Sequence, residues 1–238
     1  MTNRNRSIGA QRLEILRWIA SLGAVTAEAL ALRQAVSLAS ARGRLSALCR
    51  RGLLERTRPL SECQALFSLT VAGARAAGLP GLAPARVGAS GAGHLIVCAS
   101  AAASLERSYP DKRVIGEREL RSAEKACGHP LASARLAGRY AGCSDLHRPD
   151  LVLAPLAPED LALPVAVEVE LTVKAPRRLC EICRAWARCS QVAGIVYLVS
   201  ERAQPAVARA VVAANAGERI AVVRLEALPC WRIVSPGL

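Results

Sequence analysis

The chain has 238 residues and a formal net charge of +13, with 52% hydrophobic but only 3% aromatic residues. That length admits one large or two small domains around a core of Leu, Val, Ala and Ile, and the shortage of rings argues against an RNA-recognition sheet or a single-strand stacking platform. The positive balance favours a polyanionic partner, nucleic acid before an anionic membrane.

No apolar run has the length of a membrane span and no signal-peptide pattern opens the chain, so a cytoplasmic location is expected. The nine cysteines are odd in number and read as free thiols of a reducing compartment. Cys180, Cys183 and Cys189 fall on a helical pattern with no second C-x-x-C to complete a zinc site. Arginine supplies nearly all the positive charge, as a GC-rich coding sequence would give; the lysines are Lys112, Lys125 and Lys174.

In chain order, QRLEILRWIASLG predicts an amphipathic helix closed by Gly23. VTAEALALR predicts a short helix capped by Thr26. VSLASARGRLSALCRRGLLE predicts a longer one, with Leu38, Ala41, Leu45 and Leu48 on one face and Gly52 at its end. LLERTRPL and QALFSLT are strand-like runs joined by a turn, and LTVAGARAAG resumes a helix. Gly78 to Gly93 is rich in Gly, Pro and Ala and reads as a linker.

Beyond the linker, HLIVCASAAASLERSY is an apolar helix or a strand-to-helix passage, a choice that short apolar runs leave open. VIGERELRSAEKAC reads as a helix. RPDLVLAP and LALPVAVEVELTV read as strands, APRRLCEICRAWARCSQ as a helix and GIVYLVS as a buried strand. AQPAVARAVVAANAG and ERIAVVRLEAL close the series as a helix and a strand. Such alternation predicts an α/β domain with a mixed sheet.

Three helices followed by a two-stranded ribbon resemble the winged helix-turn-helix of many regulators, on the phrase L-x-x-L-x-x-x-G-L-L-x-R leading into the ribbon and then L-T-x-x-G. The resemblance implies that the third helix enters the major groove. Ser37, Ser40, Arg42 and Arg44 are then candidates for base or phosphate contacts, with Arg56 and Arg58 on the wing reaching the backbone.

In VAVEVELTVKAP, period-two alternation puts Glu168 and Glu170 on one face of a strand and Val167 on the other. A helix with Glu117, a strand opened by Pro149-Asp150, a strand with Glu168-x-Glu170, then helix and strand resemble the PD-(D/E)xK nuclease superfamily. That resemblance implies a restriction-endonuclease-like mixed-sheet domain in which Asp150, Glu168, Glu170 and Glu117 hold Mg²⁺ or Mn²⁺. Glu170 stands where the superfamily usually has lysine; Glu170 itself, or Lys174 just past the strand, takes the catalytic role. Hard divalent ions want oxygen ligands and keep several waters, so one or two carboxylates suffice. Arg148 and His147 are candidate phosphate contacts, and His94 and His129 read as structural.

Taken together, the winged-helix pattern, GERELR, HRPDLVL, VEVELTVKAPRRLCEICRAW and VYLV resemble the replication-relaxation family of plasmids, integrative elements and phages. The expected organisation is α/β (α+β overall): a winged helix-turn-helix over 8–78, a linker over 79–93 and a nuclease-like domain over 94–238. The resemblance implies a DNA-binding protein of a mobile element, a metal-dependent endonuclease in replication, mobilisation or transfer. The alternative is a non-catalytic regulator or accessory factor with a degenerate nuclease-like domain. Expected partners are double-stranded DNA and other mobile-element proteins, with a homodimer allowed and no membrane. A pure protein-interaction adaptor is a third, weaker alternative.

Overall fold

The computed structural model describes residues 9–137, 146–156 and 162–228. Position 8 of the expected first domain, Leu161 of the expected second strand and 229–238 of the expected second domain lie outside the described residues. The chain is mixed α/β with a mixed sheet.

The N-terminal elements are α1 (Ala10–Leu22), β1 (Ala24–Val25), α2 (Ala27–Gln34), α3 (Leu38–Arg50), β2 (Leu54–Thr57), β3 (Leu66–Leu69) and α4 (Val71–Ala76). Local chemistry sets their starts. Thr26, Ser37 and Thr70 each accept a backbone N–H of the first helical turn, from Ala29, Ser40 and Gly73 respectively. β2 and β3 form the expected antiparallel ribbon. β1, too short to leave a periodic signal, joins the other edge of β3 to give the order β1-β3-β2. Leu45 and Leu48 of α3 are buried beside Leu16 and Ile19 of α1, as their spacing predicts.

α5 (Ala89–Ser108) corrects the expected linker. It opens inside 79–93 and continues as one helix of 20 residues through HLIVCASAAASLERS. The glycines that suggested a linker cost helix propensity, about 1 kcal/mol each. Burial of Ile96, Val97, Ala99 and Ala101–Ala103 offsets that cost.

Then come β4 (Lys112–Gly116), α6 (Glu117–Cys127), β5 (Ala134–Arg135), β6 (Leu146–His147), β7 (Leu151–Pro155), β8 (Val165–Glu170), α7 (Pro176–Ala187), β9 (Gly194–Val199), α8 (Gln204–Ala213) and β10 (Ile220–Arg224). VIGERELRSAEKAC is therefore strand as far as Gly116 and helix only afterwards. The large sheet has the order β10-β9-β8-β7-β4. β8, β9 and β10 are parallel, and β7 runs antiparallel to both β8 and β4.

One apolar cluster joins the N-terminal helices, α5 and one face of this sheet, through Ile19, Leu45, Val97, Val114, Leu151, Val167 and Val169. A second cluster packs α7 and α8 on the opposite face, against Val152, Ala166, Ile195, Tyr197 and Val199. Both faces are covered, as parallel strands require. Among the described residues no helix is long and apolar enough to cross a membrane.

Gly116 marks where the N-terminal helices meet the sheet. Its N–H donates to Ser21 Oγ at 2.7 Å, and a Cβ there would overlap the Ser21 carbonyl oxygen. Gly116→Ala should therefore force α1 and β4 apart and cost about 1–3 kcal/mol in a urea unfolding titration.

Candidate active site and metal centre

The β7–β8 ladder has its last pair at Leu151 and Val167, and Asp150 stands just beyond it in the fork between the two strands. There its Oδ2 accepts the Val169 N–H at 2.7 Å, which fixes the carboxylate. Its Oδ1 faces α5 and accepts from His94 Nε2 at 2.9 Å. Cys98 Sγ, one helical turn along α5, lies 3.4 Å from the same nitrogen.

Glu168 and Glu170 share the β8 face with Ala166, as the alternation predicts, and Val167 and Val169 take the other. The face is not open, however. Glu168 is 4% and Glu170 3% exposed, beneath α7. Such burial demands partners. Glu168 Oε1 accepts from His147 Nε2 at 2.7 Å and from the indole N–H of Trp186 at 3.0 Å, and the two rings meet edge-on. Lys174 Nζ stands 2.6 Å from Glu170 Oε2, a close ion contact whose angles are not those of a directed hydrogen bond.

The charges form one electrostatic unit. Burial alone would lower the Lys174 pKa, but Glu170, Glu168 and Asp150 together hold it above the ordinary lysine value. The hydrogen bond to Asp150 raises His94 against the opposing effect of burial, while Lys174 and Glu170 act on it with opposite signs. Burial, then Asp150, Glu168 and Glu117, push the Cys98 thiol well up.

His94 gains its partner on folding, so its contribution is complete below the ordinary imidazole value of 6.5 and is lost as pH rises through its elevated folded value. His94→Asn, in chelator, should consequently cost most stability near about pH 5.5 and least near about pH 8.5 in paired unfolding titrations. Equal loss at both values would show that the imidazole is neutral throughout.

The expected metal set is thus only partly assembled. Among the described residues the one group of three His, Cys, Asp or Glu ligand atoms within 4.8 Å of one another is His94, Cys98 and Asp150. Asp150, Glu168 and Glu170 do not form such a group, and each carboxylate already has its own partner. Glu117 is turned to Arg121, one helical turn on, and reaches Asp150 only through its backbone N–H, which donates to the Asp150 carbonyl at 3.1 Å.

His94, expected to be structural, bonds Asp150 beside Cys98, and the spacing His94-x-x-x-Cys98 on an apolar stretch is the signal that could have pointed to this cluster. His147 is bound to Glu168 rather than exposed for a phosphate. Arg148 likewise gives Nε to the buried Glu124 at 2.9 Å, a structural ion pair. His129 is an exposed loop residue.

On α3, Ser37 is the helix cap, and Ser40 is the residue whose N–H it accepts. Arg42 reaches Glu28 at 3.1 Å and Arg44 reaches Gln34 at 2.7 Å, both on α2. Arg56 and Arg58 are exposed on the ribbon. Sequence inspection missed Arg177, Arg184 and Arg188, which follow one another along the exposed side of α7 and at its C-cap.

No family model, curated protein or solved structure matches this chain significantly.

Proposed function

We propose that the chain is a DNA-binding protein of a mobile element whose large sheet carries a metal-dependent phosphodiesterase site acting on DNA. The observation that carries this reading is the ion pair of Lys174 with the buried Glu170 and the coupling of Glu168 and Asp150 to the same lysine, with Asp150 fixed at the fork of β7 and β8. All three carboxylates act on the one lysine and hold it protonated, a coupled charge cluster of the kind that functional sites concentrate.

Supporting it, α1 to α3 followed by the β2–β3 ribbon have the layout of a winged helix, with exposed arginines on the third helix and the ribbon. A mixed sheet whose second strand alone is antiparallel, entered by a helix, with an acidic residue just before its second strand and two on its third, suits a restriction-endonuclease-like domain. The motifs around these residues that resemble the replication-relaxation family imply the same role, with no family-model match beside them.

Asp150 and Glu168, with Glu170, are hard oxygen donors of the kind Mg²⁺ and Mn²⁺ prefer, and Glu170 Oε2 is buried without a directed hydrogen bond. Their donor chemistry suits such an ion, which would supply charge neutralisation at the phosphate and hydroxide at neutral pH. Lys174, protonated, orients water or a phosphate oxygen. His147 and Trp186 hold the Glu168 carboxylate in place. The exposed arginines of α7 add positive charge to the same domain, and those of α3 and the ribbon supply binding energy through phosphate contacts.

A second reading, a non-catalytic DNA-binding regulator, is favoured by one specific observation: Glu168 is buried and its Oε1 already accepts two hydrogen bonds. Incubation of the purified protein with supercoiled, linear and single-stranded DNA, with Mg²⁺ or Mn²⁺, separates the two. Ion-dependent cleavage supports the first; tight binding without cleavage under every ion leaves the regulator. In either case Arg42→Ala with Arg44→Ala should weaken DNA binding by about 1–3 kcal/mol and flatten the salt dependence by about two phosphate contacts. Unchanged affinity at two salt concentrations would remove α3 as the reader.

A further inference from the structure

We infer that His94, Cys98 and Asp150 form a binding site for a thiophilic divalent cation of the zinc class. The site differs in donor chemistry from a Mg²⁺ or Mn²⁺ centre and does not depend on the chain being a nuclease. The donors are nitrogen, sulfur and oxygen, one of each. Imidazole and thiolate favour Zn²⁺ and Co²⁺, whereas Mg²⁺ takes oxygen almost alone. With Cys98 and Asp150 ionised and His94 neutral, the ligands carry two negative charges and neutralise a divalent ion.

The geometry is close to what such an ion needs. His94 Nε2 lies 2.9 Å from Asp150 Oδ1 and 3.4 Å from Cys98 Sγ, and all three ligand atoms are within 4.8 Å of one another. Ligand atoms around a tetrahedral zinc stand about 3.3–3.8 Å apart, given bonds of about 2.0–2.3 Å. The His94–Asp150 contact must open by a few tenths of an ångström, and the Cys98–Asp150 separation, which lies within 4.8 Å, need change by no more than about 1.5 Å to reach that spacing.

The ligands are also held in place beforehand. His94 and Cys98, four residues apart, project from the same side of α5. That helix cannot slide, because Val97, Ala99 and Ala101–Ala103 are buried in the main core. Asp150 is fixed by the Val169 N–H. Cys98 closes the floor at 7% exposure, while the His94 side chain is 41% exposed. Three protein ligands with one side open to solvent is the arrangement that leaves a coordination position for water. On binding, the Cys98 proton leaves to the buffer.

Cobalt(II) reads this site directly, since a thiolate ligand gives it a near-ultraviolet charge-transfer band and four-coordination gives it visible bands. Titrated into the full-length, chelator-treated protein, Co²⁺ should bind with both signatures. Zn²⁺ should displace it and millimolar Mg²⁺ should not. Cys98→Ser should lose the sulfur band, and Asp150→Asn, which can keep the bond to Val169, should weaken Co²⁺ binding at least tenfold. Cys98→Ala serves the same purpose if the serine variant fails to fold. A sulfur band that persists in the Cys98 variant would assign it to other thiols, such as those of α7, and overturn the inference; so would the absence of Co²⁺ binding below millimolar concentration. Glu168→Gln separates this site from the phosphodiesterase proposal: it should leave the cobalt spectrum intact whether or not it affects cleavage.

Discussion

Val167→Asp is expected to abolish cooperative folding. Val167 is 2% exposed in the apolar cluster shared by α1, α5 and the sheet, directly between Leu151 on β7 and Val196 on β9. Its described neighbours in that cluster are apolar. An unpaired carboxylate in such a layer costs several kcal/mol even after its pKa adjusts, a large part of the roughly 5–15 kcal/mol that holds a domain together. Circular dichroism on heating should show no sharp transition, or one lowered by tens of degrees. A near-native melting temperature would mean that β8 presents its other face to this core, and would contradict its register with both neighbours.

On the proposed phosphodiesterase reading, Lys174→Ala is expected to lose DNA cleavage by a factor of about 10²–10⁴ while retaining stabilisation by Mn²⁺. An ammonium can orient water or a phosphate oxygen but cannot ligate a cation. Glu168→Gln should behave differently. Its amide oxygen can still accept from His147 and Trp186, so those buried donors keep a partner, but a charged ligand is gone. Wild-type protein at an Mn²⁺ concentration one hundred times the dissociation constant should gain about 2.7 kcal/mol of stability, and Glu168→Gln should gain much less. Glu170→Ala decides the remaining role: loss of Mn²⁺ stabilisation makes it a ligand, and loss of cleavage alone makes it the counterpart of the lysine found elsewhere. A wild-type melting curve unmoved by millimolar Mg²⁺ or Mn²⁺ would remove the hard-ion site and leave the regulator.

The sequence alone determined what depends on near neighbours along the chain. Thr26, Ser37 and Thr70 start helices because a side-chain oxygen two or three residues upstream satisfies a free N–H. Leu38 to Leu48 bury one face because 3.6 residues make a turn. Glu168 and Glu170 share a face because strands alternate. Tertiary structure decided what depends on partners far away in the chain. KRVIG is a strand because β7 offers it an edge some forty residues later, and no local period announces that. The glycine-rich start of α5 is helical because α2, β1 and the sheet cover the turns that follow. Both glutamates are buried because α7 folds back over them and brings Trp186 to Glu168. His94 and Cys98 show a one-turn spacing that reads as ordinary core. They become a candidate metal site only when the fork of β7 and β8 delivers Asp150, fifty-six residues from His94, because a ligand set is a property of distances in space, which sequence separation does not determine.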